Sequence, residues 1–264
     1  MCDYMNEEET KERVQLQFGK NAKNYVTSKL HAKGKDLSKL LQIADVCETD
    51  HVLDIATGGG HTANAFAPLC KQVTALDLTN EILTVARNFI EGNGYINTDF
   101  VQGDAEKLPF PDETFDLITC RIAAHHFPHV HDFIHESYRT LKKGGTFYLI
   151  DNVAPENNEL DKFYNHIEKE RDYSHHRAFK KSEWIQMVEE CGFILEEFYC
   201  FSKTFIFDEW CKNMNVSSEK KEALSSLLLY SDQAKRTKFK VTERNQKLYS
   251  FTGEAILLKV RKPM

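Results

Sequence analysis

Paired cysteines are missing from this chain of 264 residues. Its seven cysteines are odd in number and scattered, and no two of them form a Cys-x-x-Cys motif. A disulfide framework or a zinc ribbon needs cysteines at regular short spacings, so both kinds of small stapled protein are excluded. The pattern indicates a protein of a reducing compartment, and we expect it to be cytoplasmic.

Long apolar runs and an excess of positive charge are missing as well. The first residues, MCDYMNEEETKER, are polar and acidic, and no run reaches membrane-spanning length, so we expect neither a signal core nor an integral membrane segment. The formal net charge is -6 and the isoelectric point is near 6.0, which gives no basic footprint for nucleic acid. A hydrophobic fraction of 41% and a charged fraction of 28% are ordinary for a globular enzyme.

Three consecutive glycines mark the stretch around which the chain is organised. Gly58, Gly59 and Gly60 follow the apolar run HVLDIA, which predicts a short buried strand, and precede a helix-compatible run from His61. A strand, a glycine turn and a helix present a helix N-terminus and bare main chain to a ligand. Asp54 lies inside the strand, where a carboxylate seldom serves packing alone. The loop is therefore predicted to bind a nucleotide-like small molecule.

Strands and helices alternate after this loop. Apolar runs and turn residues predict strands at 72–77, 98–102, 115–121 and 146–151, with helices at about 80–91 and 130–141. Short connections between such units predict an α/β fold with a mostly parallel sheet and helices on both faces. We place this core at 48–152 and assign 1–47 to an N-terminal helical cap.

The chain after the core is more helical. Charged runs predict helices at 157–173 and 181–190, and strand-like runs follow at 193–207 and 254–261. The polar stretch between these two strands, 208–250, is too long for a hairpin turn. We expect it to be a helical insertion that acts as a lid or a substrate-binding element. With the core it completes a domain that spans 48–264.

Three acids, Asp54, Asp77 and Asp104, bear on which ligand the glycine loop takes. The loop satisfies a G-x-G-x-x-A spacing and Asp77 is at a suitable distance for ribose hydroxyls, as in NAD-binding proteins. Asp54, however, would repel a pyrophosphate. Asp104, after the third strand, adds an acid for an adenine edge. A nucleoside with a cationic tail fits this set better than NAD, and S-adenosylmethionine is such a molecule.

Five ordered motifs carry a family resemblance: FGKNAKNY, VLDIATGGGHTA, VTALDLTNEIL, VQGDAEKLPFPDETFDLI and LKKGGTFYLID. From about Val14 to Asp151 the chain resembles the class I S-adenosylmethionine-dependent methyltransferases, of the ubiquinone/menaquinone-biosynthesis C-methyltransferase type (the methyltransferase type 11 group). The resemblance implies a Rossmann-like fold with a seven-stranded, mostly parallel sheet. It also implies S-adenosylmethionine as the methyl donor and S-adenosylhomocysteine as its product.

The resemblance assigns the cofactor site residue by residue. It implies a set of nine residues: Asp54, Ala56, Gly58 and Gly60 at the methionine part, Asp77 and Leu78 at the ribose and adenine, Asp104 and Ala105 at adenine, and Arg121 beneath the cofactor. Family members often have glycine where Ala56 stands. We expect the extra methyl group to be tolerated there on a β-region backbone, with a narrower methionine pocket as the result.

A group of histidines follows the fourth strand. The resemblance implies that this segment faces the transferred methyl group, so His126 is the candidate catalytic residue, either as a general base or as a wall of the pocket. His125, Tyr25 and His31 are candidate acceptor-binding residues. No cysteine or acid pattern completes a ligand set around the histidines, so we expect no metal.

The acceptor is predicted from the charge balance and from the C-terminal insertion. An acidic chain offers no counterion release to a phosphate backbone, so we expect a small, partly apolar molecule as the partner. The N-terminal helices and 208–250 are predicted to roof a mainly apolar cavity above Gly58 and His126. The reaction that the resemblance implies is direct in-line transfer of the methyl group to this acceptor. Two alternatives to this function remain. One is a non-catalytic S-adenosylmethionine-binding protein, and the other is an NAD-dependent oxidoreductase, for which a second mononucleotide half is missing.

Overall fold

One sheet forms the centre of the computed structural model, which describes Lys11, Gln15 and residues 34–264. The strands of this described part are β1 His51–Ile55, β2 Gln72–Asp77, β3 Thr98–Gln102, β4 Phe115–Arg121, β5 Leu141–Val153, β6 Ile194–Ile206, β7 Thr242–Arg244 and β8 Lys247–Arg261. They run across the sheet in the order β3-β2-β1-β4-β5-β8-β6, and the short β7 pairs with β8 outside this path.

The parallel part of the sheet positions the ligand site. Strand β1 pairs in parallel with β2 and β4, β2 pairs with β3, and β4 pairs with β5. Strand β8 is antiparallel to β5, β6 and β7. The carboxyl ends of the parallel strands share one edge, and the strand order reverses between β1 and β4. Open α/β sheets bind their ligands at this kind of crevice.

Helices cover both faces of the sheet. Those of the described part are α1 Lys35–Ile43, α2 His61–Phe66, α3 Asn80–Gly92, α4 Val130–Thr140, α5 Asn158–Arg171, α6 Lys181–Glu190, α7 Phe207–Lys212, α8 Ser218–Leu229 and α9 Gln233–Lys238. Within the same residues, no helix has both the length and the apolarity needed to cross a membrane. Of the predicted N-terminal cap, 1–47, the structure describes Lys11, Gln15 and residues 34–47, which include α1.

The predicted Rossmann-like, mostly parallel fold is confirmed, with one correction to the strand count. The sheet has an eighth strand, β7, inside the stretch that was predicted to be helical. Asn245 and Gln246 join β7 to β8 and have φ of 50° and 59°. Two left-handed residues in a two-residue loop make the hairpin turn that Asn-Gly or Asp-Gly usually forms. Because Gln stands where glycine is typical, the sequence carries no hairpin signal.

Two apolar clusters, one on each face, hold the helices to the sheet. On one face Phe133 of α4 and Trp184 of α6 are fully buried against β4, β5 and β8. On the other face Leu40 of α1 and Phe66 of α2 pack on β1, β2 and β5. Burying such side chains stabilises the fold by about 1.5–3 kcal/mol each. By holding the helices against the sheet, the two clusters fix the position of the edge at which the parallel strands end.

The insertion at 208–250 has a core of its own. Phe207 and Trp210 of α7 and Leu228 of α8 are buried in a third cluster with Tyr164 of α5 and Phe251 of β8. These side chains therefore pack between the insertion, α5 and the sheet. Its role as a lid stays a prediction.

Candidate active site

The loop between β1 and α2 turns sharply because three of its residues have left-handed torsions. Ala56, Gly58 and Gly60 have φ of 52°, 55° and 80°. The Thr57 N–H donates to the Leu76 carbonyl of β2 at 2.9 Å, and the Gly60 N–H donates to the Thr57 carbonyl at 3.0 Å. A Cβ built on Gly58 would meet nothing within 4 Å. A ligand can therefore reach the main chain at Gly58 directly.

The expected backbone of Ala56 is wrong. We predicted a β-region conformation for this residue, and its φ of 52° places it in the left-handed region instead. The turn from β1 into the glycine loop requires that torsion, whatever residue stands there. An L-residue with a Cβ meets the following carbonyl oxygen in this region, which costs roughly 1–2 kcal/mol. Glycine, which the family often has at this position, avoids that cost.

Asp54 holds the glycine loop from beneath. One oxygen of its carboxylate accepts from the Thr57 hydroxyl at 2.6 Å and from the Ala63 N–H at 3.2 Å, and the other accepts from the Thr119 hydroxyl at 2.7 Å. Burial raises the pKa of Asp54, and these donors oppose that rise. The side chain thus has a structural role that the sequence did not reveal. It also lines the cleft, so its charge acts on whatever binds there.

Asp77, at the end of β2, is the second buried acid. Its carboxylate accepts from the Gly58 N–H and from the Thr79 N–H, both at 3.0 Å. Burial raises the pKa of Asp77 to about 6. The carboxylate is therefore oriented by main-chain donors from both sides and stands beside the open glycine loop.

Asp104 is already paired with a cation from the N-terminal segment. The Lys11 ammonium lies 2.6 Å from Asp104 and 2.6 Å from Glu106. The other oxygen of Asp104 accepts from the Glu106 N–H at 2.9 Å, and Glu106 accepts from the His129 N–H at 2.6 Å. Lys11 and Ala105 both line the cleft. Lys11 ties the N-terminal segment to the loop that was predicted to hold adenine.

Arg121 and Leu78 are fixed by contacts to other segments. The Arg121 Nε donates to Asp36 of α1 at 2.7 Å, and the arginine side chain is only 5% exposed. The Leu78 carbonyl accepts from the Gln15 side chain and from the Gln102 side chain, both at 3.1 Å. Arg121 is therefore a buried, neutralised cation at the end of β4.

The two histidines after β4 have different electrostatic states. The His125 Nδ1 donates to Asp151 at 2.6 Å, and although burial opposes it, this carboxylate raises the pKa of His125. The rings of His125 and His126 have centroids 4.2 Å apart. Burial, and then the charge of His125, lower the pKa of His126 to about 4. His126 is consequently neutral at pH 7, whereas Asp151 favours the charged form of His125.

One cleft collects most of the predicted residues. It is lined by all nine predicted cofactor residues except Gly60, and by His126, whereas His125 is not part of its lining. Its unfilled space is about 1020 Å³, including its open mouth. Carboxylates at its floor and an exposed glycine backbone are a donor and acceptor set that fits a nucleoside with a cationic tail. The residues present thus fit S-adenosylmethionine.

Two predicted acceptor residues, Tyr25 and His31, lie outside the described residues.

Sequence reasoning missed three residues that contact the predicted site residues: Lys11, Asp36 and Asp151. Asp151 carried a readable signal, because it ends an apolar strand as Asp77 does, whereas the partners of Lys11 and Asp36 are distant in sequence. Among the residues that the structure describes, no group of three or more His, Cys, Asp or Glu side chains is arranged to hold a metal ion.

Comparisons with known proteins agree with this geometry. A methyltransferase domain model matches residues 53–149. The chain is 39% identical to the uncharacterised methyltransferase YcgJ of Bacillus subtilis, over 91% of this chain and 96% of that protein. It is 36% identical to the ubiquinone/menaquinone biosynthesis C-methyltransferase UbiE of Pseudomonas fluorescens, over 47% of this chain and 50% of that protein.

A solved structure gives a further match. The crystal structure of a methyltransferase candidate, BH2331 from Bacillus halodurans C-125, superposes with a TM-score of 0.86 at 58% identity, and the match covers 88% of this chain and 100% of that one. The oxidoreductase alternative is therefore set aside. On the strength of these relatives and of the cleft, the chain belongs to the S-adenosylmethionine-dependent methyltransferases.

Proposed function

We propose that the protein transfers the methyl group of S-adenosylmethionine to a small, partly apolar acceptor by direct in-line displacement. The observation that carries this proposal is the cleft in which the open glycine loop lies beside Asp77 and Asp104. When bound, the cofactor supplies an electrophilic methyl group on a positively charged sulfur. Asp54 beneath the loop favours such a charge and disfavours a pyrophosphate.

The chain's own contribution is binding and orientation. Asp77 would accept hydrogen bonds from the ribose hydroxyls, and the Gly58 main chain would contact the methionine part. Ile122, Ala123 and Phe127 give the cleft an apolar wall next to His126. Holding two reactants in line can supply about 7–11 kcal/mol of the barrier reduction, provided that water is kept out.

The charges in the cleft support a small molecule as the acceptor. The lysine and the arginine that line it are both neutralised by carboxylates. Lys11 is paired with Asp104 and Glu106, and Arg121 is paired with Asp36. With a formal net charge of -6, the chain offers little attraction to a nucleic acid backbone. Lys11 lines the cleft, and we propose that it forms part of the roof. None of the residues lining the described cleft comes from 208–250.

Calorimetry with S-adenosylhomocysteine and with NAD tests the cofactor part. We expect S-adenosylhomocysteine to bind and NAD to bind far more weakly, and the reverse order would refute the proposal. Labelled-methyl transfer to a panel of small acceptors tests turnover. Binding of S-adenosylhomocysteine without transfer to any panel member would favour the non-catalytic alternative.

A further inference from the structure

The tautomer of His126 is fixed by a turn that the proposed function does not use. The His126 Nδ1 lies 3.0 Å from the Ser174 carbonyl oxygen. A carbonyl oxygen only accepts, so Nδ1 must carry the proton of the neutral ring. The Ser174 hydroxyl lies 3.3 Å from the same nitrogen and gives its own proton to Asp172, so it too accepts from Nδ1. Both contacts leave Nε2 as the nitrogen without a proton.

The turn itself is rigidly held. Asp172 accepts from the Ser174 N–H at 2.9 Å as well as from its hydroxyl, and both residues are almost fully buried. Beyond His175, the residues His176 and Arg177 donate their N–H groups to the His125 carbonyl at 2.9 and 3.0 Å. The segment that orients His126 is thereby also hydrogen-bonded to His125, the residue immediately before His126. Asp172 and Ser174 are positioning residues for the His126 ring.

We propose that His126 is the general base of the methyl transfer, acting through Nε2, and that the acceptor carries a proton on its accepting atom. The acceptor class is then a phenolic or enolic hydroxyl or an enolisable carbon, rather than a tertiary amine or a thioether. This inference rests on the proposed function. Its structural basis is that His126 lines the same cleft as Gly58 and that the Ser174 carbonyl fixes a single tautomer of its ring.

The step balances in atoms and charge. An electron pair of the acceptor forms the bond to the methyl carbon, and the carbon–sulfur pair stays on sulfur, which becomes a neutral thioether. The acceptor proton passes to Nε2 of His126. The positive charge lost at sulfur thus reappears on the imidazole, so the total charge in the cleft is unchanged. A weak base is sufficient, because an oxygen that gains a methyl group becomes strongly acidic as the bond forms.

The charged groups around His126 favour this assignment. His125 is hydrogen-bonded to Asp151 on one side, and the buried Asp172 acts on the ring from the turn. His175, whose pKa is lowered by burial and by the two other histidines, is neutral. Burial, and after it the charge that Asp151 favours on His125, keep His126 neutral before the reaction, and Asp172 compensates an imidazolium once it forms. A tertiary amine would leave a permanent cation there, with no proton for the base.

Nitrogen NMR of the histidine-labelled protein in complex with S-adenosylhomocysteine tests the tautomer without an acceptor. We expect a proton on Nδ1 and none on Nε2 of His126 at neutral pH, with the signal assigned by its loss in His126→Asn. Asp172→Ala should mix the tautomers, whereas Ser174→Ala should not, because the carbonyl remains. A proton on Nε2, or an imidazolium at neutral pH, would overturn the inference.

Labelled-methyl transfer to phenols, 1,3-diketones, tertiary amines and thioethers tests the acceptor class. His126→Asn keeps an amide donor for the Ser174 carbonyl but has no Nε2. We expect it to bind S-adenosylhomocysteine within about twofold of the wild type and to lose roughly 10²–10⁴-fold in kcat. Full activity of this variant, or products from amines and thioethers alone, would overturn the inference while the proposed function stands. Failure of the wild type to bind S-adenosylhomocysteine would remove both.

Discussion

The carboxylate of Asp77 accepts a hydrogen bond from the main-chain N–H of Gly58 at 3.0 Å, across the gap between β2 and the glycine loop. A second N–H, that of Thr79, donates to the other oxygen. The two bonds fix the plane of the carboxylate before any ligand arrives. Each oxygen still has a lone pair for a ribose hydroxyl, so loop geometry and ligand binding depend on the same group.

We expect Asp77→Asn to weaken S-adenosylhomocysteine binding by at least about tenfold. The amide loses the charge that strengthens both ribose bonds, each worth roughly 1.5–3 kcal/mol, and 1.4 kcal/mol is a factor of ten. Calorimetry measures the affinity, and circular dichroism checks that the fold survives. Asp99→Asn, on the neighbouring strand β3 but outside the cleft, is the matched control and should bind normally. Equal affinities for the two variants would refute the role of Asp77.

The same residue predicts a pH dependence of binding. Burial raises the pKa of Asp77 to about 6, above its value in the unfolded chain. Its contribution to the unfolding free energy is therefore present at low pH and is lost as the pH rises toward 6. Ribose hydroxyls prefer the ionised form, so S-adenosylhomocysteine affinity should fall as the pH drops below about 6. Calorimetry above and below that pH should show the fall in the wild type and not in Asp77→Asn.

Much of this arrangement was readable in the sequence, because strand ends and glycines are local signals. Asp77 ends its apolar run and Asp54 stands inside one just before the glycines, and the parallel sheet brings the ends of these strands together. The backbone of Ala56 was not readable, since the torsion is set by the turn from β1 and not by the residue. The Lys11 pair was not readable either, because its partners lie 93 and more positions away.

Ala56→Gly should stabilise the protein. Its φ of 52° costs an L-residue roughly 1–2 kcal/mol, while glycine costs about 0.4–1 kcal/mol through the entropy of the unfolded chain. We expect a net gain on the order of 0.5–1 kcal/mol in the unfolding free energy, measured by urea denaturation. Ala65→Gly, inside α2, is the control and should lose about 0.5–1 kcal/mol. A loss of stability in both variants would contradict the strain assigned to Ala56.

Gly60 and Gly92 should respond in opposite ways to alanine. Gly60 has a φ of 80°, and its Cβ would lie 3.1 Å from both Ala86 and Ile90 of α3. Gly60→Ala should therefore unfold at a lower urea concentration and bind S-adenosylhomocysteine more weakly. Gly92, at the end of the same helix, has nothing within 4 Å of its Cβ position. Gly92→Ala should leave binding unchanged and cost no stability; destabilisation of both to the same extent would argue against a specific role for Gly60.

Lys11 is the cation of the cleft that pairs with Asp104 and Glu106. Lys11 neutralises Asp104 and the almost fully buried Glu106, so its loss leaves two carboxylates side by side. We expect the 104–106 loop to loosen and S-adenosylhomocysteine to bind about fivefold more weakly in Lys11→Met, a loss on the order of 1 kcal/mol.

Lys107→Met is the matched control for Lys11→Met, because Lys107 is an exposed lysine of the same loop and lies outside the cleft. Stopped-flow dissociation of S-adenosylhomocysteine should be faster for Lys11→Met alone. The difference between the two variants should shrink at high salt, since the Lys11 side chain is 26% exposed and salt screens such pairs. If both variants released the ligand at the wild-type rate, Lys11 would have no part in retaining the ligand.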